Sequence, residues 1–130
     1  RWSYCCVIFT AYPTSLWKCR ISLPFGQPRV GNPAFATYMN QNSPQTYRVV
    51  NYRDIVTHNP SKSVNGYYHG GNEVWYNKSG MNSYVVCASE ASNCSSGIFT
   101  LFLSFNDHSI DRYILLNPGY NSIAGITYLN

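Results

Sequence analysis

The chain has 130 residues, of which 45% are hydrophobic and only 11% charged, which excludes a coiled coil, a long solvated helical protein and a disordered charged tail. Its net charge of +4 is unevenly placed: residues 1–53 hold six of the nine basic residues and no acid, while residues 54–130 hold all five acids and three bases. The bases are scattered, with no Lys/Arg run. They therefore read as solvated charges rather than a nucleic-acid surface.

Taken in chain order, residues 1–20 are apolar without a clean period of 2 or 3.6, and Pro13 interrupts them. Their apolar core, residues 5–12, is too short to span a bilayer. Residues 21–26 read as a short buried strand ending in glycine, although Pro24 is unusual in a central strand. A loop follows. Asn32 is suited to cap a helix that Pro33 opens and that runs over residues 33–41. Phe35, Tyr38 and Met39 fall at i, i+3, i+4 and predict one apolar face. After a turn around Pro44, residues 47–52 form a strand rich in β-branched and aromatic side chains, with Asp54 just beyond its end. Residues 58–66 are a polar loop. Residues 73–77 and 83–87 read as a hairpin turning at residues 78–82. Residues 88–97 form a Ser/Asn loop, residues 98–105 an apolar run, and residues 106–107 open a new element that carries His108. The tail is loop-like, with a final apolar patch at residues 123–129. Helix and strand alternate as in an open α/β sheet.

In such a sheet functional groups gather at the carboxyl ends of strands. Asp54 stands at one, and His108 follows 54 residues later. An Asp and then a His is the order of the last two members of a Ser…Asp…His triad. Two plainer roles stay open: Asp54 as a turn cap and His108 as a half-buried structural histidine. His58 reads as a solvated loop histidine and His69 as the holder of a turn. Glu73 with Trp75 reads as a sheet-face pair rather than an acid catalyst. The five cysteines contain no CxxC, and the histidines lack zinc-finger spacing, so no metal site is expected. Cys87 and Cys94 are close enough in sequence to close a small disulfide loop. That pair, the few charges and two N-glycosylation patterns at Asn77 and Asn93 point to an extracellular, secreted protein.

Five segments then carry a resemblance. Phe25 to Ala36 is similar to a GxPRVGxxxFA stretch, and Tyr47 to Val56 to a strand ending in Asp-Ile-Val. His69 to Tyr76 is similar to H-x-G-x-E-x-W, Cys87 to Cys94 to a small disulfide loop, and Asp107-His108 to a catalytic-histidine pair. In this order they resemble the class 3 lipases, the fungal triacylglycerol lipase family. The resemblance implies the α/β-hydrolase fold, with residues 21–130 as the C-terminal portion of the domain, an incomplete central sheet, and residues 1–20 as a poorly matching segment. It implies Asp54 as triad acid and His108 as general base, a Cys87–Cys94 disulfide, and Pro28, Val56 and Ile110 near the acyl groove. It further implies an acylglycerol or other ester substrate at a lipid–water interface, with no metal or organic cofactor.

The chain departs from the family in three places. It has no GxSxG elbow, and spacing puts the nucleophilic serine at or just before residue 1. The chain alone is therefore expected to be inactive, its activity depending on a preceding half-domain. A lipase-like fragment without catalysis, or a lipid- or carbohydrate-surface module, is the competing reading. Thr57 replaces the family's usual proline, which implies a looser loop. Tyr113 lies five residues after His108, where the family often has an aromatic three residues on.

Overall fold

Residue choice sets each element locally. In the computed structural model, which describes residues 21–43, 45–78, 83–109 and 111–113, strand β1 is Ile21–Ser22. Helix α1 is Pro33–Asn42, capped as expected by Asn32, whose side chain accepts the Phe35 N–H. Strand β2 is Gln45–Asn51, helix α2 is Lys62–Asn65, strand β3 is Asn72–Tyr76 and strand β4 is Val85–Cys87. The sheet runs β1-β2-β3-β4. β1 and β2 are parallel, β2 and β3 are parallel, and β4 returns antiparallel to β3. The predicted hairpin is therefore present, with β3 set one residue earlier than expected and β4 starting two residues later. Its turn, residues 79–82, lies outside the described residues, as do residues 1–20 and the tail after Tyr113.

Pro24 is tolerated because β2 uses its carbonyl rather than an N–H. Val49 N–H donates to Pro24 O (2.8 Å), and Gly26 N–H donates to Val49 O (2.9 Å). The chain thus keeps running beside β2 after β1 ends. Gly71, at φ +76°, is required where β3 starts, since a Cβ there would lie 2.6 Å from the Thr46 carbonyl.

The helix differs from expectation. Phe35 and Tyr38 are exposed, and Ala36 is the buried residue of α1. Phe35 instead lays its ring beside Gly31, where a Cβ would meet it at 2.8 Å. The apolar run at residues 98–105 is likewise not core. Phe99, Leu101, Phe102 and Phe105 are all exposed, around one 3-10 turn at Thr100–Phe102.

Apolar burial centres on Val49 and Tyr113, with Phe25 and Tyr76 packed against them. Much of the remaining interior is polar. Arg48 and Glu73 face each other across the parallel register of β2 and β3 and form a fully buried ion pair at 3.0 Å. Glu73 also accepts the Ser95 N–H (3.0 Å). Its partner is therefore Arg48, across the sheet, and not Trp75 along its own strand. Burial lowers the Arg48 pKa despite the opposing pull of Glu73.

Candidate active site

The end of β2 is built to turn sharply. Tyr52 takes φ +37°, a conformation that costs a non-glycine residue about 1 kcal/mol or more and persists only where neighbours over-determine it. They do so here. Tyr52 N–H donates to Tyr76 O (2.8 Å), the Trp75 indole donates to Tyr52 O (2.9 Å), and the Arg53 guanidinium lies 4.6 Å over the Tyr52 ring. The turn delivers Asp54, which pairs with Ser104 in a parallel bridge. Ser104 N–H donates to Arg53 O (2.8 Å). That bridge brings in the 3-10 turn Asn106–His108, and Asn51 Nδ2 ties the same turn to β2 by donating to Asp107 O (2.9 Å).

The result is a close Asp–His pair. His108 Nδ1 lies 2.8 Å from Asp54 Oδ2, with Asp54 fully buried and the His108 side chain 25% exposed. Asp54 Oδ1 accepts the Val56 N–H (2.8 Å). Asp54 Oδ2 also accepts the Tyr113 hydroxyl (2.5 Å), which in turn accepts the Asn51 N–H (3.2 Å). Three donors therefore satisfy one buried carboxylate, which is what lets a charge sit away from water. Since Asp54 can only accept, His108 donates through Nδ1 and the neutral ring carries its basic lone pair at Nε2. Burial, then the Asp54 charge and hydrogen bond, hold the Tyr113 pKa well above 10, so its phenol stays protonated.

Gly26 makes the space for this arrangement. At φ +61° it sits so close that a Cβ would meet His108 Cε1 at 2.9 Å and Tyr113 Cε2 at 3.1 Å. Tyr113 stacks edge-on against both Phe25 (6.0 Å) and His108 (6.2 Å).

The other expected residues fall around this pair. Pro28 and Val56 are partly buried, next to the ion-paired Arg29 and to Asp54 respectively; Ile110 lies outside the described residues. Cys87 and Cys94 form a disulfide. Thr57 is anchored within the loop. It is buried, and its hydroxyl donates to Asp54 O (2.9 Å). His58 is not a solvated loop residue, because its Nδ1 lies 3.0 Å from Asp54 O and its Nε2 2.9 Å from Ser95 O. His69 does have a structural place. Burial, then the Arg48 and Arg29 charges, push its pKa down to about 2. The neutral ring sits with Nε2 2.8 Å from Thr57 O. Among the described residues, no three His, Cys, Asp or Glu side chains converge as a metal site requires, and no helix is long and apolar enough to cross a membrane.

Sequence reasoning missed Tyr113, Asn51 and Gly26 as partners of the pair. Tyr113 had one signal, an aromatic near the histidine, but at a spacing that matched no pattern. Gly26 had another, its place at the head of the PRVG segment.

The parallel strands with an acid at a strand end belong to the α/β-hydrolase fold, of which the chain shows a partial, four-stranded mixed sheet. Residues 12–64 match the family described as Lipase (class 3). The lipase of Rhizomucor miehei is 44% identical over 96 residues, covering 72% of this chain and 25% of that protein. The solved lipase II of Rhizopus niveus is 39% identical at a TM-score of 0.61, over 66% of this chain and 32% of that one. A solved triacylglycerol lipase whose catalytic centre is formed by a serine protease triad is 41% identical at a TM-score of 0.61, over 68% and 33% of the two chains. This chain belongs to the fungal class 3 lipase family and spans about a quarter of the length of the curated relative it matches.

Proposed function

We propose that this chain is the C-terminal portion of an extracellular serine-esterase lipase that hydrolyses acylglycerol esters, with Asp54 and His108 as two members of its triad. The observation that carries the reading is the 2.8 Å contact between His108 Nδ1 and the buried Asp54 Oδ2. The kinship to a lipase with a serine protease triad supports it, and the disulfide fits an oxidising compartment.

The chemistry follows from the proton positions. Asp54 fixes the tautomer, so Nε2 is the atom that takes the serine proton as the hydroxyl attacks the ester carbonyl. Asp54 then stabilises the imidazolium. His108 returns the proton to the departing alcohol, and a water deprotonated by the same ring releases the acid. The serine would come from a segment preceding these residues. Pro28, Val56 and Ile110 would border the acyl chain.

The test is to fuse the chain behind an elbow-bearing segment of a fungal lipase and to assay medium-chain p-nitrophenyl esters. His108→Ala should lower kcat by roughly 10⁶-fold. An unimpaired His108→Ala fusion would refute the assignment. One observation favours a second reading, binding to a lipid surface without hydrolysis: Phe99, Leu101, Phe102 and Phe105 are exposed together just before His108. Binding of the isolated chain to phosphatidylcholine vesicles with no ester cleavage, and no activity in the fusion, would support that alternative.

A further inference from the structure

Three segments lie around the Asp54–His108 pair: the one carrying Arg29, the one carrying His69, and the Cys87–Cys94 loop. They meet at one side chain. Glu90 lies inside the disulfide loop and adopts φ +58°, an unfavourable conformation for glutamate that its surroundings must enforce. Its side chain is 7% exposed. Oε1 accepts from Arg29 Nε (3.0 Å) and from the His69 N–H (3.1 Å). Oε2 accepts from Arg29 Nη2 (3.2 Å) and the Ser96 hydroxyl (3.5 Å), with Lys62 Nζ 4.0 Å away. Burial alone would raise the carboxyl's pKa, but the Arg29 hydrogen bonds and charge outweigh it and hold it below the ordinary value. His69 Nε2 is also 4.0 Å from Oε1. Because that ring is neutral, this approach is a contact and not an ion pair.

Both groups that Glu90 fixes reach the segment after Asp54. Arg29 Nη1 donates to His58 O and to Pro60 O (3.2 Å). His69 Nε2 donates to Thr57 O (2.8 Å). The carbonyls of residues 57, 58 and 60 thus hang from two side chains: that of Arg29, which is bonded to the Glu90 carboxylate, and that of His69, whose backbone N–H is bonded to it. Thr57 completes the path by donating its hydroxyl to Asp54 O. Among the described residues, Glu90 is the only carboxylate ion-paired with Arg29. In enzymes a misplacement of about 1 Å at the reacting groups can lower the rate by about 10²-fold.

We propose that Glu90 is a positioning residue: through Arg29 and His69 it sets the placement of the Asp54 carboxylate against His108, without touching either. This rests on the reading of Asp54 and His108 as a working pair. The test separates the two claims by starting with the labelled wild-type 130-residue chain. A downfield His108 Nδ1–H NMR resonance that vanishes in Asp54→Asn establishes the pair. Its absence in wild type would refute the pair and leave Glu90 with nothing to position.

Given that resonance, Glu90→Gln should shift or broaden it. The same change should speed amide exchange of Val56, whose N–H is held by Asp54 Oδ1, by at least ~10-fold, while β2–β4 keep their native cross-peaks. Glu90→Asp keeps the charge near Arg29 and is measured alongside; it should give a smaller shift in the same direction. It also carries the test if Glu90→Gln does not fold. A fall in melting temperature with an unmoved His108 resonance and unchanged Val56 exchange would overturn the proposal, making Glu90 a stabilising residue only.

Discussion

Replacing Tyr113 by Phe removes one hydroxyl and leaves the ring in place against Phe25 and His108. That hydroxyl donates to Asp54 Oδ2 and accepts the Asn51 N–H. A hydrogen bond to a charged group contributes about 1.5–3 kcal/mol, and an orphaned buried N–H costs about 1–3 kcal/mol. The two effects share one atom and do not simply add, so the loss should be about 2–4 kcal/mol at pH 7. At roughly 3–5 °C per kcal/mol for a chain of this size, melting should fall by about 6–20 °C. The pH dependence sharpens the test. The folded Tyr113 pKa is raised above its ordinary 10.0, so its contribution is full below pH 10 and is lost as pH rises beyond it, at about 1.4 kcal/mol per pH unit. The gap between wild type and Tyr113→Phe should therefore narrow between pH 10 and 11 in urea melts. A gap that is small at pH 7, or constant through pH 11, would refute the reasoning.

Glu73→Ala strands the buried Arg48 charge and should cost about 3–5 kcal/mol; urea melts should show the doubly apolar Arg48→Met/Glu73→Leu chain losing far less. His69 has its pKa lowered from 6.5 to about 2 on folding. Its contribution is therefore present above pH 6.5 and falls as pH drops through that window, and acid titration of His69→Gln should show a shallower loss of stability between pH 6.5 and 4.5. Gly26→Ala combines a strained φ of +61° with a Cβ 2.9 Å from His108 Cε1. It should cost about 1–2 kcal/mol from the backbone alone and displace the His108 ring, which the loss of its Nδ1–H resonance would report.

Reduction of the Cys87–Cys94 bridge should bear on the same pair, since the loop it closes carries Glu90. A loop this short contributes about 2–3 kcal/mol by chain entropy, to be read from melts with and without reductant.

Local chemistry made much of the fold legible in the sequence. Asn32-Pro33 suits a helix start by its own chemistry, the β-branched run before Asp54 forms a strand, and Asp54 and His108 stand out where acids and histidines are few. Their motif order pointed to the family. Such signals are short-range, and the partners of a buried group are not. Tyr113 reaches Asp54 only because Gly26 leaves room and the Ser104 bridge carries the chain back. His58 and Thr57 look like loop residues until Asp54 O and Ser95 O stand beside them. The exposed apolar run at residues 98–105 and the buried Arg48–Glu73 pair invert what hydropathy alone predicts, because burial is set by what packs against a segment. The sequence alone singled out Asp54 and His108 as candidates, and only the tertiary structure decided which groups meet, since hydrogen bonds act over about 3 Å between groups tens of residues apart.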